Sequence, residues 1–312
     1  MQIETLKIFC DLVETGSFSL AAERNFVTQS AVSQQVRGLE ELFKHRLLER
    51  VRGRREVRLT GAGELFYQES RHVLAAYGTL QERVRGLDGT VAGAVRVATV
   101  YSIGLHELPH AVRRFMALYP SAKIDLEYSR TTRIVRDVSS GAVELGVIAY
   151  PEKRRGPSII PLPGDRLVLI CTPEHPFARR KKLRAADLQG HDFVLFERDI
   201  PTRRAIDRIF KAHGVTVRRV VEFDNIETIK RAVEVGFGLA IVPRPSVLDE
   251  QRSGQLAVVQ LAEPEWTRSV GVIHRSDRTL STVARKFIEL LTDKSQVPGL
   301  RSQVKSRDRL GT

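Results

Sequence analysis

The sequence predicts a multidomain α+β protein, with an N-terminal winged helix-turn-helix, a long linker helix and a C-terminal α/β domain of two lobes. Three observations carry this prediction. Apolar residues keep helical spacing from Met1 to Phe43, an arginine-rich hairpin pattern follows, and strand-like apolar runs alternate with helical ones beyond Ala94. With 312 residues, the chain also exceeds the usual size of a single hydrophobic core.

The composition describes a folded chain with excess positive charge. No apolar run approaches the roughly 20 residues of a membrane-spanning helix, and residues 1–10 carry no secretory signal. We therefore expect a cytoplasmic protein with no membrane partner. The formal net charge of +13 favours a polyanionic partner such as nucleic acid. Cys10 and Cys171 lie among apolar neighbours, which predicts buried thiols rather than a disulfide or zinc ligands.

Capping residues separate three short helical blocks at the N-terminus. The first block ends at Gly16, Ser17 or Ser19 caps the second, and Thr28 caps the third. Spacing on the third helix predicts an apolar inward face and a polar outward face. The inward residues are Ala31, Val32, Val36, Leu39 and Leu42, and the outward residues are Gln29, Ser30, Ser33, Gln34 and Arg37.

Amide and hydroxyl side chains at the start of an exposed helix suit the major groove of DNA. Gln pairs with adenine through two hydrogen bonds, and Ser reaches bases or phosphates. A solvated face without a partner is the alternative. The predicted DNA contacts are Thr28, Gln29, Ser30, Ser33, Gln34 and Arg37 in the third helix, with Arg52 and Arg54 in the hairpin that follows.

The stretch after the third helix predicts a basic wing. Its arginines can enter a minor groove and neutralise phosphates, and Gly53 lies where a hairpin would turn. A solvated edge strand is the alternative interpretation of the same pattern. The basic residues are Lys44, Arg46, Arg50, Arg52, Arg54, Arg55 and Arg58, opposed in this stretch by Glu49 and Glu56.

Residues 18–60 resemble the DNA-binding domain of LysR-type regulators. The resemblance rests on residues 17–22 (SFSLAA), 28–36 (TQSAVSQQV), 47–50 (LLER) and 59–63 (LTGAG). The sequence departs at Ser30, where the family often has proline, and at Gln34, where arginine is common, so no operator sequence is carried over. The resemblance implies a transcription regulator that is not an enzyme. Its expected partners are double-stranded DNA, a second copy of itself and RNA polymerase.

A heptad seam follows on the predicted linker helix, which Thr60 can cap. It predicts a two-stranded coiled coil, and a helix lying on its own domain is the alternative. The resemblance implies a dimer through this helix and a tetramer formed by two dimers. The seam residues are Phe66, Ser70, Val73, Tyr77, Leu80, Val84 and Leu87, and Gly86, Gly89 and Gly93 mark a hinge.

Beyond Ala94, strand-like and helical segments alternate in a βαβ pattern, which predicts a mainly parallel sheet covered by helices. The chain is predicted to cross to a second lobe near Pro163 and to return near Glu265. This half resembles the periplasmic-binding-protein-like effector domain of the LysR family at residues 141–146 (GAVELG) and 235–243 (VGFGLAIVP). The predicted boundaries are 1–59 for the winged helix-turn-helix, 60–92 for the linker helix and hinge, and 93–294 for the effector domain. Within the effector domain, lobe I comprises 93–163 and 266–294 and lobe II comprises 164–265. A disordered basic tail is predicted at 295–312.

Polar residues at strand ends predict an effector pocket between the lobes, although each hydroxyl could instead cap its own helix. The resemblance favours Thr99, Ser102, Thr131 and Thr202 among them. Neighbouring arginines lead to the hypothesis of an anionic effector, and no cofactor is expected. The candidate contacts are Thr99, Tyr101, Ser102, Thr131, Thr132, Phe196, Thr202 and Asn225, and the arginines are Arg130, Arg133, Arg203 and Arg204.

Two rival functions are compatible with parts of the sequence. Residues 106–110 spell H-E-x-x-H, the zinc-peptidase signature, but Pro109 opposes an established helix and suits the first turn of one that begins here. No third ligand is evident, so we expect neither a metal site nor catalytic residues. A solute-binding protein would have a similar two-lobed half. The helix-turn-helix and the missing signal peptide argue against it.

Overall fold

The computed structural model describes residues 1–49, 57–85, 91–152 and 157–293. These residues fall into two compact units. The first ends with a helix that finishes at Arg85, and the second begins with a strand that starts at Gly93. None of the described helices is both long enough and apolar enough to cross a lipid bilayer. The predicted tail at 295–312 lies outside the described residues.

Three helices open the first unit, in the predicted order. They are α1 (Ile3–Thr15), α2 (Phe18–Arg24) and α3 (Gln29–Phe43). Gly16 ends α1 in the left-handed region with φ 62°, which glycine adopts without a Cβ penalty. Ser17 rather than Ser19 caps α2, because its hydroxyl accepts the Leu20 N–H at 3.4 Å. The Thr28 hydroxyl accepts the Ala31 N–H at 3.2 Å and caps α3.

The inward face of α3 differs from the prediction at one position. Val32, Val36 and Leu39 are buried in the core that α1 and α2 share. Leu42, predicted to face inward, is 59% exposed. The reason is geometric, since the core cluster stops at Leu39 and resumes at Leu47, so that the last turn of α3 extends past it.

The base of the wing is described, whereas its tip is not. Leu48 pairs with Leu59 in an antiparallel bridge, and the Glu49 N–H donates to the Arg58 carbonyl at 2.8 Å. A helix, α4 (Gly61–Arg85), then begins where Thr60 was expected to cap it, with the Gly63 N–H donating to the Thr60 hydroxyl at 3.0 Å. The predicted tip residues Arg50, Arg52, Gly53, Arg54, Arg55 and Glu56 lie outside the described residues.

Three parallel strands start the second unit. β1 (Gly93–Thr99) lies between β2 (Ala122–Tyr128) and β3 (Leu145–Ala149). Apolar side chains of the sheet pack against helices that follow the strands or end the unit. The helices contribute Phe115 and Phe287 to this core. The helices are α5 (Tyr101–His106), α6 (Leu108–Leu118), α7 (Thr131–Ser140) and α11 (Thr282–Thr292).

The sheet is mixed rather than mainly parallel, which corrects the prediction. β4 (Pro157–Cys171) and β10 (Thr267–Arg275) run antiparallel to each other and to their other neighbours within the sheet. β4 pairs with β10 up to Arg166, with β8 (Ala240–Pro243) from Leu167 and with β9 (Ala257–Leu261) from Val168. Pro163 does not end β4, because a register shift in β10 opposite it removes the need for its missing N–H.

The remaining elements surround the second part of β4, from Leu167 to Cys171. β6 (Asp192–Phe196) and β7 (Arg218–Phe223) form a parallel pair, and β5 (Lys182–Leu183) adds to β9. The helices are α8 (Pro201–Ala212), α9 (Ile226–Glu234) and α10 (Leu248–Ser253). This part of the unit buries its own apolar cluster, which includes Phe193, Phe210 and Trp266. The pairing of β4 thus divides the unit into two parts, while the predicted lobe boundaries stay predictions.

Candidate nucleic-acid interface and ligand pocket

The start of α3 presents a polar surface to solvent. Gln29, Ser30, Gln34 and Arg37 are exposed, and Ser33 is half-buried. The Gln29 amide donates to the Ser33 hydroxyl at 3.3 Å, and the Thr28 and Ser30 hydroxyls lie 2.9 Å apart. The buried side chains on the opposite face hold the helix in place, so this surface is presented on a rigid element.

The turn before α3 carries an aromatic residue that was not among the predicted contacts. Phe26 is 96% exposed and has φ 54°, a left-handed conformation that is uncommon for a residue with a Cβ. Asn25 fixes the turn, because its amide donates to Asp11 at 2.7 Å and to the Ala21 carbonyl at 2.9 Å. The available signal in the sequence was a phenylalanine two residues before the capping Thr28.

Basic residues continue this surface toward the wing. Arg37 lies on α3, and Lys44, Arg46 and Arg58 are exposed at the base of the wing. Glu40 on α3 links this helix to the base of the wing, since its carboxylate accepts the Leu47 N–H at 2.9 Å and the Leu48 N–H at 3.3 Å. Arg52 and Arg54, predicted to contact DNA, lie outside the described residues.

The predicted seam on α4 has two parts. Phe66 packs against Phe9 with ring centroids 5.0 Å apart, and Ser70 is buried. Further along the helix the seam is uncovered, as four of its apolar side chains are between 39% and 61% exposed. These four are Val73, Tyr77, Leu80 and Val84. The last predicted member, Leu87, lies outside the described residues.

A pocket that is partly open to solvent lies at the carboxyl ends of the strands in the second unit. Six of the eight predicted contacts line it, namely Tyr101, Ser102, Thr131, Thr132, Phe196 and Thr202. Helices α7 and α8 begin at this pocket. The first N–H groups of a helix have no acceptor within it, so the backbone adds hydrogen-bond donors to the hydroxyl groups.

The other two predicted contacts have structural roles. Thr99 is buried, and its hydroxyl donates to the Val147 carbonyl at 3.0 Å. Asn225 caps α9, because its side-chain oxygen accepts the Glu227 N–H at 2.8 Å. Neither residue lines the pocket. For these two positions the structure favours the capping or packing role over contact with a ligand.

Three of the four arginines near the strand ends are held away from the pocket or lie outside its lining. Arg133 contacts Asp137, and the buried Arg203 donates to Asp207, to Glu222 and to the Phe196 carbonyl. Arg204 is exposed and does not line the pocket.

Arg130 does line the pocket, and there it is bound by three carboxylates. The partners are Glu197 at 2.9 Å, Asp199 at 2.8 Å and Asp224 at 3.1 Å. These hydrogen bonds raise the pKa of Arg130 further above its usual value, with the bond to Asp224 contributing most. This acidic rim was not predicted from the sequence, because its members lie in two turns, after β6 and after β7, that are both far from Arg130 along the chain.

A buried arginine behind the pocket was also missed. Arg268 on β10 is fully buried and donates to Asp165, to Glu107 and to the Ser102 hydroxyl. Burial raises the pKa of Glu107 to about 7, and it also raises the pKa of Asp165. The available signal was an arginine two residues before the apolar run that starts at Val270.

The H-E-x-x-H pentad does not form one helix, because α5 ends at His106 and α6 begins at Leu108. Pro109 lies in the first turn of α6, as predicted. The His106 ring contacts Glu227 at 2.7 Å, and Glu107 contacts Arg268. No group of three or more metal-ligating side chains is found among the described residues.

Two family models match the chain. The model described as "Bacterial regulatory helix-turn-helix protein, lysR family" matches residues 3–64, and "LysR substrate binding domain" matches residues 88–296. A curated relative from Cyanidioschyzon merolae, named probable RuBisCO transcriptional regulator, is 31% identical over 293 residues. The match covers 92% of this chain and 96% of the relative.

Solved structures show the same fold. CbnR, titled a LysR family transcriptional regulator, has a TM-score of 0.74 at 23% identity and covers 93% of this chain and 98% of its own. CbnR was also solved in complex with its target DNA, with a TM-score of 0.72. The Synechocystis PCC6803 CcmR regulatory domain, in complex with 2-PG, has a TM-score of 0.59 at 22% identity. It covers 64% of this chain and 95% of its own.

Proposed function

Because the chain belongs to the LysR family of DNA-binding transcriptional regulators, we propose that the exposed start of α3 reads DNA and that the pocket holds a small anionic effector. The family membership and the fold class agree with the resemblance found in the sequence. The helix-turn-helix match at residues 3–64 also favours a regulator over the rival solute-binding protein. We expect it to act in the bacterial cytoplasm, where the DNA lies.

The observation that carries the DNA proposal is a polar exposed face on a helix whose other face is buried. Gln29, Ser30 and Gln34 sit on the first turns of α3, where side chains of a recognition helix reach base edges. Arg52 and Arg54 are proposed to neutralise phosphates, which adds affinity without sequence preference. The solved complex of CbnR with its target DNA supports this use of the fold.

The DNA proposal is tested by comparing two kinds of variant on fragments selected from the source genome. Arg52→Ala and Arg54→Ala should weaken binding to all fragments and lower the salt dependence of binding by about one counterion each. Gln29→Ala and Gln34→Ala should relax base preference, with a loss of about 1–3 kcal/mol of discrimination at the contacted pair. Unchanged base preference in both folded glutamine variants, or loss of folding in either one, would contradict the outward orientation of these side chains.

The effector proposal rests on donors that converge on one pocket. The amides at the starts of α7 and α8 and the hydroxyls of Ser102, Thr131 and Thr202 all favour an anion. Asp199 and Asp224 oppose an anion at the rim, although Arg130 partly neutralises them. The 2-PG complex of the CcmR regulatory domain supports a small ligand in this fold.

Calorimetry with 2-PG and with matched panels of phosphate esters, carboxylates and neutral polyols tests the effector class. We expect saturable heat with anions. Thr131→Ala should reduce their affinity, while Thr282→Ala, at the start of the distant helix α11, serves as the matched control. Binding of neutral compounds alone would overturn the anionic class while leaving the regulator assignment intact.

The effector would act by changing how the two parts of the second unit are held, and with it the pairing of chains. The exposed stretch of the α4 seam is the proposed dimer contact, and pairing of dimers is the proposed route to a tetramer. An effector can shift the equilibrium between two arrangements of the paired chains only by its difference in affinity for these arrangements. RNA polymerase is the partner through which bound regulator would alter transcription.

A further inference from the structure

A buried ionic group joins three elements behind the pocket. Arg268 on β10 is fully buried and donates from Nε to both carboxylate oxygens of Asp165 on β4, at 3.1 and 3.0 Å. One of its terminal nitrogens donates to Glu107 at 2.5 Å, at the junction of α5 and α6, and also to Asp165, which makes the contact with Asp165 bidentate. The other terminal nitrogen donates to the Ser102 hydroxyl oxygen at 2.9 Å.

The bond to Ser102 fixes how that hydroxyl can be used. Because its oxygen accepts a hydrogen bond from Arg268, its own hydrogen must point away from the guanidinium. Among the residues that the structure describes, no acceptor receives this hydrogen, and Ser102 lines the pocket. The hydroxyl is therefore set as a donor toward whatever occupies the pocket, which suits an anion.

The charges of the group do not cancel. Two carboxylates share one guanidinium, so the fully ionised group carries a net charge of −1 in a largely buried place. Asp165 receives the bidentate contact and is the better stabilised carboxylate, whereas Glu107 accepts one bond and its side chain stays 23% exposed. A proton taken up by the group is therefore held chiefly by Glu107, and burial raises the pKa of this carboxyl to about 7.

We propose that Glu107, Asp165 and Arg268 form a proton-linked positioning group for Ser102, so that the pocket binds an anion more tightly when the group has taken up a proton. This inference rests on the proposed anionic pocket. Protonation changes the net charge of the group from −1 to zero and leaves Arg268 in place to orient the Ser102 hydroxyl. An anion beside Ser102 then meets less repulsion.

The sign follows from linkage. If protonated Glu107 favours the anion, the bound anion raises the pKa of Glu107 further, and binding takes up protons where Glu107 is partly ionised. Anion affinity should then rise as the pH falls through the region near 7. Tyr150, after β3, interacts with Arg268 and Asp165 of this group and also with Arg208 on α8. His106 precedes Glu107 in the chain and contacts Glu227 on α9, which is bound to Lys230.

Sulfate is the probe, because its charge stays constant between about pH 6 and pH 8 while the neighbouring carboxyl titrates. Calorimetric titration of the full chain should show about tenfold tighter sulfate binding at the lower pH, which corresponds to about 1.4 kcal/mol. Repeating the titration in buffers with different ionisation enthalpies should reveal proton uptake on binding. This measurement needs no variant.

Glu107→Gln removes the titrating group but keeps an oxygen that can accept from Arg268. Its sulfate affinity should be the same at both pH values and close to that of the wild type at low pH. Ser102→Ala should weaken binding at both pH values. His106→Gln is the matched control from the adjacent position, and its pH dependence should equal that of the wild type.

The outcomes separate this inference from the proposed anionic pocket. Saturable sulfate binding with equal affinity at both pH values and no proton uptake would overturn the inference alone. The inference would also fail if His106→Gln abolished the pH dependence while Glu107→Gln kept it. If sulfate showed no saturable binding at both pH values, the anionic pocket and the role of Ser102 would both be overturned.

Discussion

The contact between the first turn of α4 and the wing gives a sharp prediction at Gly63. A Cβ built on Gly63 would lie 1.9 Å from the Leu47 carbonyl oxygen, whereas real Cβ atoms stay at least 3.0 Å from such neighbours. Gly63→Ala must therefore push the wing strand and α4 about 1 Å apart. The displaced carbonyl is the one that accepts the Thr60 N–H at 3.0 Å.

The magnitude follows from these two effects. Overpacking of this kind costs about 1–3 kcal/mol, and loss of a backbone hydrogen bond costs about 1 kcal/mol more. Gly61→Ala is the matched control, because a Cβ there meets no atom within 4 Å, and it should stabilise the helix by up to about 0.5 kcal/mol. The two alanines stand two residues apart in the same turn.

Hydrogen exchange of the full chain measures this difference locally, without assuming that both units unfold together. A loss of about 3 kcal/mol corresponds to about a hundredfold faster exchange of the Leu47 and Thr60 amides. DNA affinity should fall with it, because the wing base would no longer be fixed against α3. Equal exchange rates in Gly63→Ala and Gly61→Ala would refute the close packing of Gly63 against Leu47.

Three other predictions concern the dimer, a thiol and the core of the second unit. Leu80→Glu should shift the chain toward monomer in sedimentation velocity, because Leu80 is 57% exposed in the single chain, whereas Gln81→Glu beside it should not. Cys171 should resist thiol reagents at neutral pH until the chain unfolds, since burial raises its thiol pKa to about 11, and rapid native labelling would contradict this. Gly146→Ala places a Cβ 2.7 Å from two isoleucine side chains and should lower the unfolding free energy by about 1–3 kcal/mol, as read from urea denaturation.

The helix starts were predictable because their chemistry is local. Thr28 and Thr60 each lie three residues before an amide that their hydroxyl accepts, and that spacing is legible in the sequence. The same reasoning identified six residues that line the pocket, since helices that follow parallel strands begin at one edge of a sheet. It also named Thr99 and Asn225, which do not line the pocket, because a capping or packing side chain and a ligand contact look identical before the partners are known.

The ionic contacts were not predictable because their members are distant in sequence. Arg268 lies 103 residues from Asp165 and 161 residues from Glu107, and no local spacing links such positions. The length of β4 was missed for a related reason. A proline in a strand normally signals its end, and only the register of β10 shows why Pro163 is tolerated.

The acidic rim sets what Arg130 does for an incoming anion. Its guanidinium faces three carboxylates, so the rim carries a net charge of −2 with Arg130 present and −3 without it. Because Arg130 is 48% exposed, solvent screening keeps the effect modest, and Arg130→Gln should weaken sulfate binding about threefold to tenfold. The loss should shrink at high salt.

Arg130→Lys separates charge from geometry in the same titration. A lysine keeps the positive charge but lacks the planar fork that contacts several carboxylates at once, so its sulfate affinity should fall between those of the wild type and Arg130→Gln. Tighter sulfate binding by Arg130→Gln would refute this reasoning. That result would mean that Arg130 closes the pocket as a competing cross-link between its two sides, and that an anion must break its bonds to enter.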